Sequence, residues 1–172
     1  MTVASKSVFR RLNIQMPPDE LAHFLSKTID PNVLRQALSI ATALIEPVDI
    51  WVDGWCKYNG TSKALAGWTI AVYIDGKVDH RVEGVVPYHE QQTNNVAEYH
   101  AFINGLHYGK QYRRPIIIHT DSQLVIGQVV DAWKVNSDHL RPLVEEARTL
   151  VMKAGAEVVK EPRERIVEIV GH

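Results

Sequence analysis

Apolar residues recur every three to four positions through the first 47 residues, and from Val48 onward the spacing becomes that of strands. Pro17, Pro18, Asp19 and Glu20 form a helix-start cluster, in which proline is tolerated and acids suit the positive end of the helix dipole. Leu21, Phe24, Leu25 and Ile29 follow at helical spacing. Asp30, Pro31 and Asn32 interrupt the pattern, and Val33, Leu34, Ala37, Leu38, Ala41, Leu44 and Ile45 resume it until Pro47. The segment predicts an αα-hairpin. With five basic and four acidic residues it makes a poor nucleic-acid arm. Docking of residues 1–47 on the main domain or on a protein partner is the expected role.

Beyond Pro47, Asp49 to Trp55 alternates as a strand and Asn59-Gly60 marks a turn. Gly67 to Ile74 predicts a second strand. Asp75-Gly76 then predicts a type I′ hairpin turn, which needs positive φ at both central residues, and Lys77 to Val86 returns antiparallel. Thr93, Asn94 and Asn95 cap a helix from about Val96 to Tyr108. Pro115 to Thr120 reads as a buried strand, and Asp121-Ser122 opens another helix. Ser137 and Asp138 open a further helix through Lys153 that Gly155 ends, and a strand follows from Ala156. The order β-β-β-α-β-α-α-β predicts an α/β domain over 48–172, a mixed sheet with helices on its faces, preceded by a helical extension over 1–47.

Composition narrows the classes. The chain of 172 residues is 45% apolar and 23% charged, which suits one main core and disfavours collagen-like, low-complexity and disordered chains. No apolar run approaches the roughly 18 residues of a membrane span, and residues 1–15 are too polar and basic for a signal-peptide core. A soluble, cytoplasmic protein with no membrane partner is expected. A single cysteine, Cys56, excludes an intrachain disulfide framework and a multi-cysteine zinc site. The net charge of -1 does not announce a nucleic-acid ligand.

Three acids stand where ordinary packing does not favour them. Asp53 lies inside a strand, although Asp is among the poorest strand formers; a turn into Gly54 is the plain explanation. Glu98 shares the helix stripe of Ala101, Phe102 and Leu106, which faces the sheet. A first-turn dipole offsets only about 0.3–1 kcal/mol of the cost of burying a carboxylate there. Asp121 ends the strand Ile116 to Thr120, where it is either a helix cap or a ligand at the strand's carboxyl end. Convergence of the three would be repulsive without cations. Hard oxygen donors favour Mg²⁺ or Mn²⁺ over zinc, and two such ions about 3.5–4 Å apart are the usual device for in-line phosphoryl displacement. Carboxylates held well apart, or satisfied by arginines or lysines, would remove that reading.

Asp53-Gly54-Trp55-Cys56-Lys57-Tyr58-Asn59-Gly60, Thr93-Asn94-Asn95-Val96-Ala97-Glu98-Tyr99 and His119-Thr120-Asp121-Ser122-Gln123-Leu124 resemble the three leading motifs of the type 1 ribonuclease H family. The resemblance covers Val48 to the end. It implies a ribonuclease H-like five-stranded mixed sheet and hydrolysis of the RNA strand of an RNA·DNA hybrid with two divalent ions, Mg²⁺ or alternatively Mn²⁺. It implies Asp53, Glu98 and Asp121 as metal ligands. Asn59, Asn94 and Asn95 match positions that contact the RNA strand, where the 2′-hydroxyl separates RNA from DNA. Thr93 and Asn136 match a pocket for a DNA-strand phosphate.

Three departures follow from the same resemblance. Gln91 stands where the family often has a basic residue, and the stretch 128–136 holds one lysine, so the basic handle of some members is absent. Hybrid affinity should then rest on few phosphate contacts and be salt-sensitive. The family's fourth ligand is an aspartate of a last helix, yet no aspartate follows Asp138. Either Val170-Gly171-His172 is a strand end and loop, and the chain stops short of that helix, or Pro162-Arg163-Glu164 opens the last motif and Val170 takes the aspartate's place. Glu168 is the remaining candidate acid, although an exposed tail position suits it better. A metal-dependent endoribonuclease is thus expected, with a catalytically weak or inactive binding or interaction module of the same fold as the alternative. A DNA-directed nuclease is disfavoured by the Thr93 to Asn95 block.

Overall fold

The structure, a computed structural model, describes residues 46–171 and four positions ahead of them, His23, Lys27, Asp30 and Asn32. The chain divides into two compact units, Met1–Glu46 and Pro47–His172. The helical hairpin expected in the first 47 residues lies outside the described residues.

The second unit is built on a five-stranded sheet in the order β3-β2-β1-β4-β5. Its strands are β1 (Val48–Lys57), β2 (Leu65–Ile74), β3 (Lys77–Val85), β4 (Ile116–Thr120) and β5 (Glu157–Lys160). β1 pairs antiparallel with β2 and parallel with β4; β2–β3 is antiparallel and β4–β5 parallel. The hairpin between β2 and β3 turns at Asp75 (φ 52) and Gly76 (φ 73), both left-handed as a type I′ turn requires.

Helix α1 (Asn94–Gln111) starts earlier than its apolar stripe suggests, because Thr93 is the N-cap and accepts from the Val96 amide. Helix α2 (Gln123–Val129) is capped by Ser122. The helix expected from Ser137 begins as one 3₁₀ turn, Asp138–Leu140, before α3 (Arg141–Ala154), and Gly155 (φ 59) ends it. β5 is then followed by a last helix, α4 (Arg163–Val170). The element order therefore extends one helix past the expected terminal strand.

Period-two alternation in β1 divides the core. Val48, Ile50 and Val52 face α1 and α3, together with Ile118, Phe102, Leu106, Val144 and Ala147. Trp51 faces the other way, against Ala71 of β2 and Ile166, Ile169 and Val170 of α4. The sheet is thereby sandwiched. Its last helix is anchored at both ends: Pro162 precedes it, and Arg81 of β3 donates to the carbonyls of Ile169 and Val170.

Candidate active site

Asp53 and Asp121 stand two residues past Trp51 and His119, the last paired residues of the parallel strands β1 and β4. By alternation both point to the face that α4 covers. Glu98 arrives from α1, on the opposite side. Gly54 makes this possible: a Cβ there would lie 2.3 Å from the Glu98 nitrogen and 2.4 Å from the Ala97 carbonyl carbon. The missing side chain lets the first turn of α1 rest on the strand backbone and carries Glu98 to Asp53. One ligand oxygen from each of Asp53, Glu98 and Asp121 lies within 4.8 Å of the others. The convergence expected of the three acids is present.

Their electrostatics are unbalanced. Asp53 is fully buried. Burial, and then the Asp53 and Asp121 charges, push the Glu98 carboxyl up to about 8, against a backbone hydrogen bond from Gly54 and the Arg163 charge, which lower it. Glu98 Oε2 is buried and has no hydrogen-bond partner among the described residues. Arg163, at the start of α4, donates from Nη1 to Asp53 Oδ1 at 2.7 Å and to Asp121 Oδ2 at 3.0 Å. Satisfaction by an arginine, the arrangement that would count against a cation site, is thus met for two of the three acids. Among the described residues one guanidinium faces three carboxyls, and Glu98 Oε2 keeps no partner there. The donor set is all oxygen and electron-rich, so it fits a hard divalent cation.

A model of the RNase H family matches residues 46–172. The chain belongs to the RNase H family. Among solved structures it is similar to RNase H1 of the halophilic archaeon Halobacterium salinarum, at 27% identity and a TM-score of 0.63, over 72% of this chain and 91% of that one. It is also similar to the N-terminal RNase H domain of a Mycobacterium tuberculosis protein, solved as a fusion with maltose-binding protein, at 26% identity and a TM-score of 0.61, over 72% and 92%. LC11-RNase H1, solved in complex with an RNA/DNA hybrid, shares the fold at 23% identity and a TM-score of 0.60, over 72% and 93%.

As an RNase H domain, this one departs from the expected pattern at its end. The first of the two alternatives is corrected: the chain does not stop short of the last helix, because Pro162 and Arg163 open α4. Val170, the position that the second alternative matches to the aspartate, is 2% exposed among Trp51, Ile166 and Ile169. Glu168 lies on the outer side of α4, paired with Arg165 at 2.7 Å and away from the acid cluster. His172 lies outside the described residues.

The remaining predicted positions are spread around the site. Asn59 is exposed in the turn after β1, and Cys56 Sγ lies 3.8 Å from its Oδ1 and 3.5 Å from the Gln92 carbonyl. Gln92, which motif reasoning passed over, accepts from the Ala66 amide and donates to the Pro87 and Glu90 carbonyls. It ties the loop before Thr93 to β2. Asn94 and Asn95 are exposed in the first turn of α1, and Asn136 is exposed before the 3₁₀ turn. The segment leading to Asn136 is held by Gln128, which accepts from the Tyr99 hydroxyl at 2.7 Å through its side chain and from Arg148 through its carbonyl. Burial pushes the Tyr99 phenol up.

Arg163 and His119 are the site residues that motif reasoning left without a role. His119 stacks on Trp51 with centroids 4.0 Å apart, and its ring nitrogens lie 2.9 Å from Asp49 and 2.8 Å from Glu161. It pins β4 to β1 and to the connection that delivers Arg163. A histidine interrupting the buried run Ile116-Ile117-Ile118 was the available signal, but its partners are 70 and 42 residues away.

Proposed function

We propose that this protein is a divalent-cation-dependent endoribonuclease that hydrolyses the RNA strand of RNA·DNA hybrids in the cytoplasm. The observation that carries the reading is the meeting of Asp53, Glu98 and Asp121 at the β1–β4 end of an RNase H-family domain. Those three carboxylates would hold Mg²⁺, with Mn²⁺ as the alternative, in the two-ion arrangement that the family resemblance implies. A divalent cation held by these carboxylates would supply Lewis-acid activation of water and neutralisation of phosphodiester charge. The protein's own contribution is positional: Asp53 is fixed within β1, Asp121 directly follows the end of β4, and Glu98 is held by the close Gly54 contact.

Substrate choice rests on the rim. Asn59, Asn94 and Asn95 present amides able to both donate to and accept from a 2′-hydroxyl. Thr93 uses its oxygen to accept from Val96, which leaves its O–H to donate to a DNA-strand phosphate beside Asn136. The absence of a basic handle makes binding dependent on these few contacts and steeply salt-sensitive. Residues 1–47 serve docking, to this domain or to a partner protein.

A second reading, a catalytically weak or inactive hybrid-binding module, is favoured by one observation, the pairing of Arg163 with two of the acids, and by the absence of any aspartate after Asp138 in the sequence. Incubation of the protein with a labelled RNA·DNA hybrid in Mg²⁺ and in Mn²⁺ separates them. Cleavage that chelation stops and Asp121→Asn reduces by at least about 100-fold supports the enzyme, by analogy with the loss of one charge-stabilising group. Equal cleavage by Asp121→Asn removes it, and hybrid binding without metal-dependent cleavage selects the second reading.

A further inference from the structure

Arg163 occupies a position that helix chemistry does not explain. It is the first residue of α4, where a cation opposes the helix dipole. Its side chain is 51% exposed, whereas Asp53 is fully buried and Asp121 is 13% exposed. The guanidinium therefore reaches inward from solvent on a flexible stem, while the acids it meets sit within β1 and directly after β4. A single nitrogen, Nη1, spans both carboxylates at 2.7 and 3.0 Å. It thereby occupies one oxygen of each of two carboxylates that would hold a divalent cation.

The backbone that presents Arg163 is clamped on both sides. Ahead of it, Glu161 accepts from His119, and its amide donates to the Thr120 carbonyl at 2.9 Å. Behind it, Ile166, Ile169 and Val170 pack on Trp51 and Ala71. The backbone is thus held at this point, and the side chain it presents is half exposed.

We propose that Arg163 is a built-in counter-ion of the acid cluster, and that its guanidinium and a divalent cation compete for Asp53 and Asp121. With no ion bound, the guanidinium holds the two carboxylates together in place of the metal. Ion binding displaces the side chain outward, toward solvent, and by linkage each cation weakens the other's hold by the same factor. Arg163 is on this account a positioning and affinity-setting residue. The inference rests on the divalent-cation reading of the site.

The test is calorimetric titration of Mn²⁺ and Mg²⁺ into the metal-free full-length chain and its Arg163→Gln variant, with circular dichroism to establish folding. The variant should bind the ion roughly tenfold more tightly, the factor expected when one charge-assisted competitor is removed. Equal or weaker binding by a folded variant overturns the proposal. A second measurement needs only the wild-type fold: the side-chain ¹⁵N resonances of Arg163, assigned by their loss in Arg163→Lys, are followed while Mg²⁺ is added. A shift toward the position of a free arginine at saturation supports displacement, and resonances unchanged at saturation overturn it. Ion binding and hybrid cleavage with a stationary Arg163 would sink this proposal alone. Absence of ion binding to both proteins would sink it together with the nuclease reading.

Discussion

Replacing Glu98 by glutamine should make the metal-free protein more stable, and increasingly so as pH rises. The Glu98 carboxyl sits at about 8 in the folded chain against 4.5 ordinarily, first because it is buried and then because Asp53 and Asp121 are close. Between those values the unfolded chain has released a proton that the native state still holds, so stability falls as pH increases. At about 1.36 kcal/mol per unit of separation, the loss is capped at about 5 kcal/mol, complete near pH 8 and absent below pH 4.5. Glutamine keeps the shape and stays neutral throughout. In scanning calorimetry with EDTA the two proteins should melt alike near pH 4.5 and diverge steadily above it. At pH 8 the variant should lead by on the order of 10 °C, given about 2–4 °C per kcal/mol for a chain of this size. Mn²⁺ should then raise the wild-type Tm and leave the variant nearly unmoved. Parallel melting profiles from pH 5 to 8.5 would refute the reasoning, since they would mean that Glu98 ionises in the folded chain as it does in water.

Two further substitutions test the geometry. Gly54→Ala places a methyl group 2.3 Å from the Glu98 nitrogen, a backbone atom that cannot step aside; the expected loss is about 1–3 kcal/mol in urea unfolding. Hybrid cleavage should fall at least as far as in Glu98→Gln, and wild-type activity in the alanine variant would show that the close approach is not what positions Glu98. Val170→Asp places an acid at a 2% exposed position among Trp51, Ile166 and Ile169, the position that the second register matches to the family's fourth ligand. It should cost about 3 kcal/mol or more in metal-free buffer, the penalty of an unpaired buried charge. An unchanged urea midpoint would contradict that placement.

Much of this architecture could be read along the chain because it depends on near neighbours. Alternation in Asp49 to Trp55, positive φ at Asp75-Gly76, and the caps at Thr93 and Ser122 are consequences of a few adjacent residues each. The three acids were legible for the same reason: each violates its local pattern, as Glu98 does by sharing a stripe with Phe102 and Leu106. The last helix was legible only as one of two registers for the end of the chain, the one that Pro162-Arg163-Glu164 opens. It has eight residues, no side-chain N-cap, and an apolar face that acquires meaning only against Trp51 and Ala71 on other strands. Arg163 likewise entered only as part of the Pro162-Arg163-Glu164 motif start, with no role of its own, and its partners are 110 and 42 residues distant. Local sequence determines backbone periodicity, caps and turns through short-range sterics and hydrogen bonds. Which charge meets which is decided by strand register and helix docking, and those are set by burial across the whole sheet.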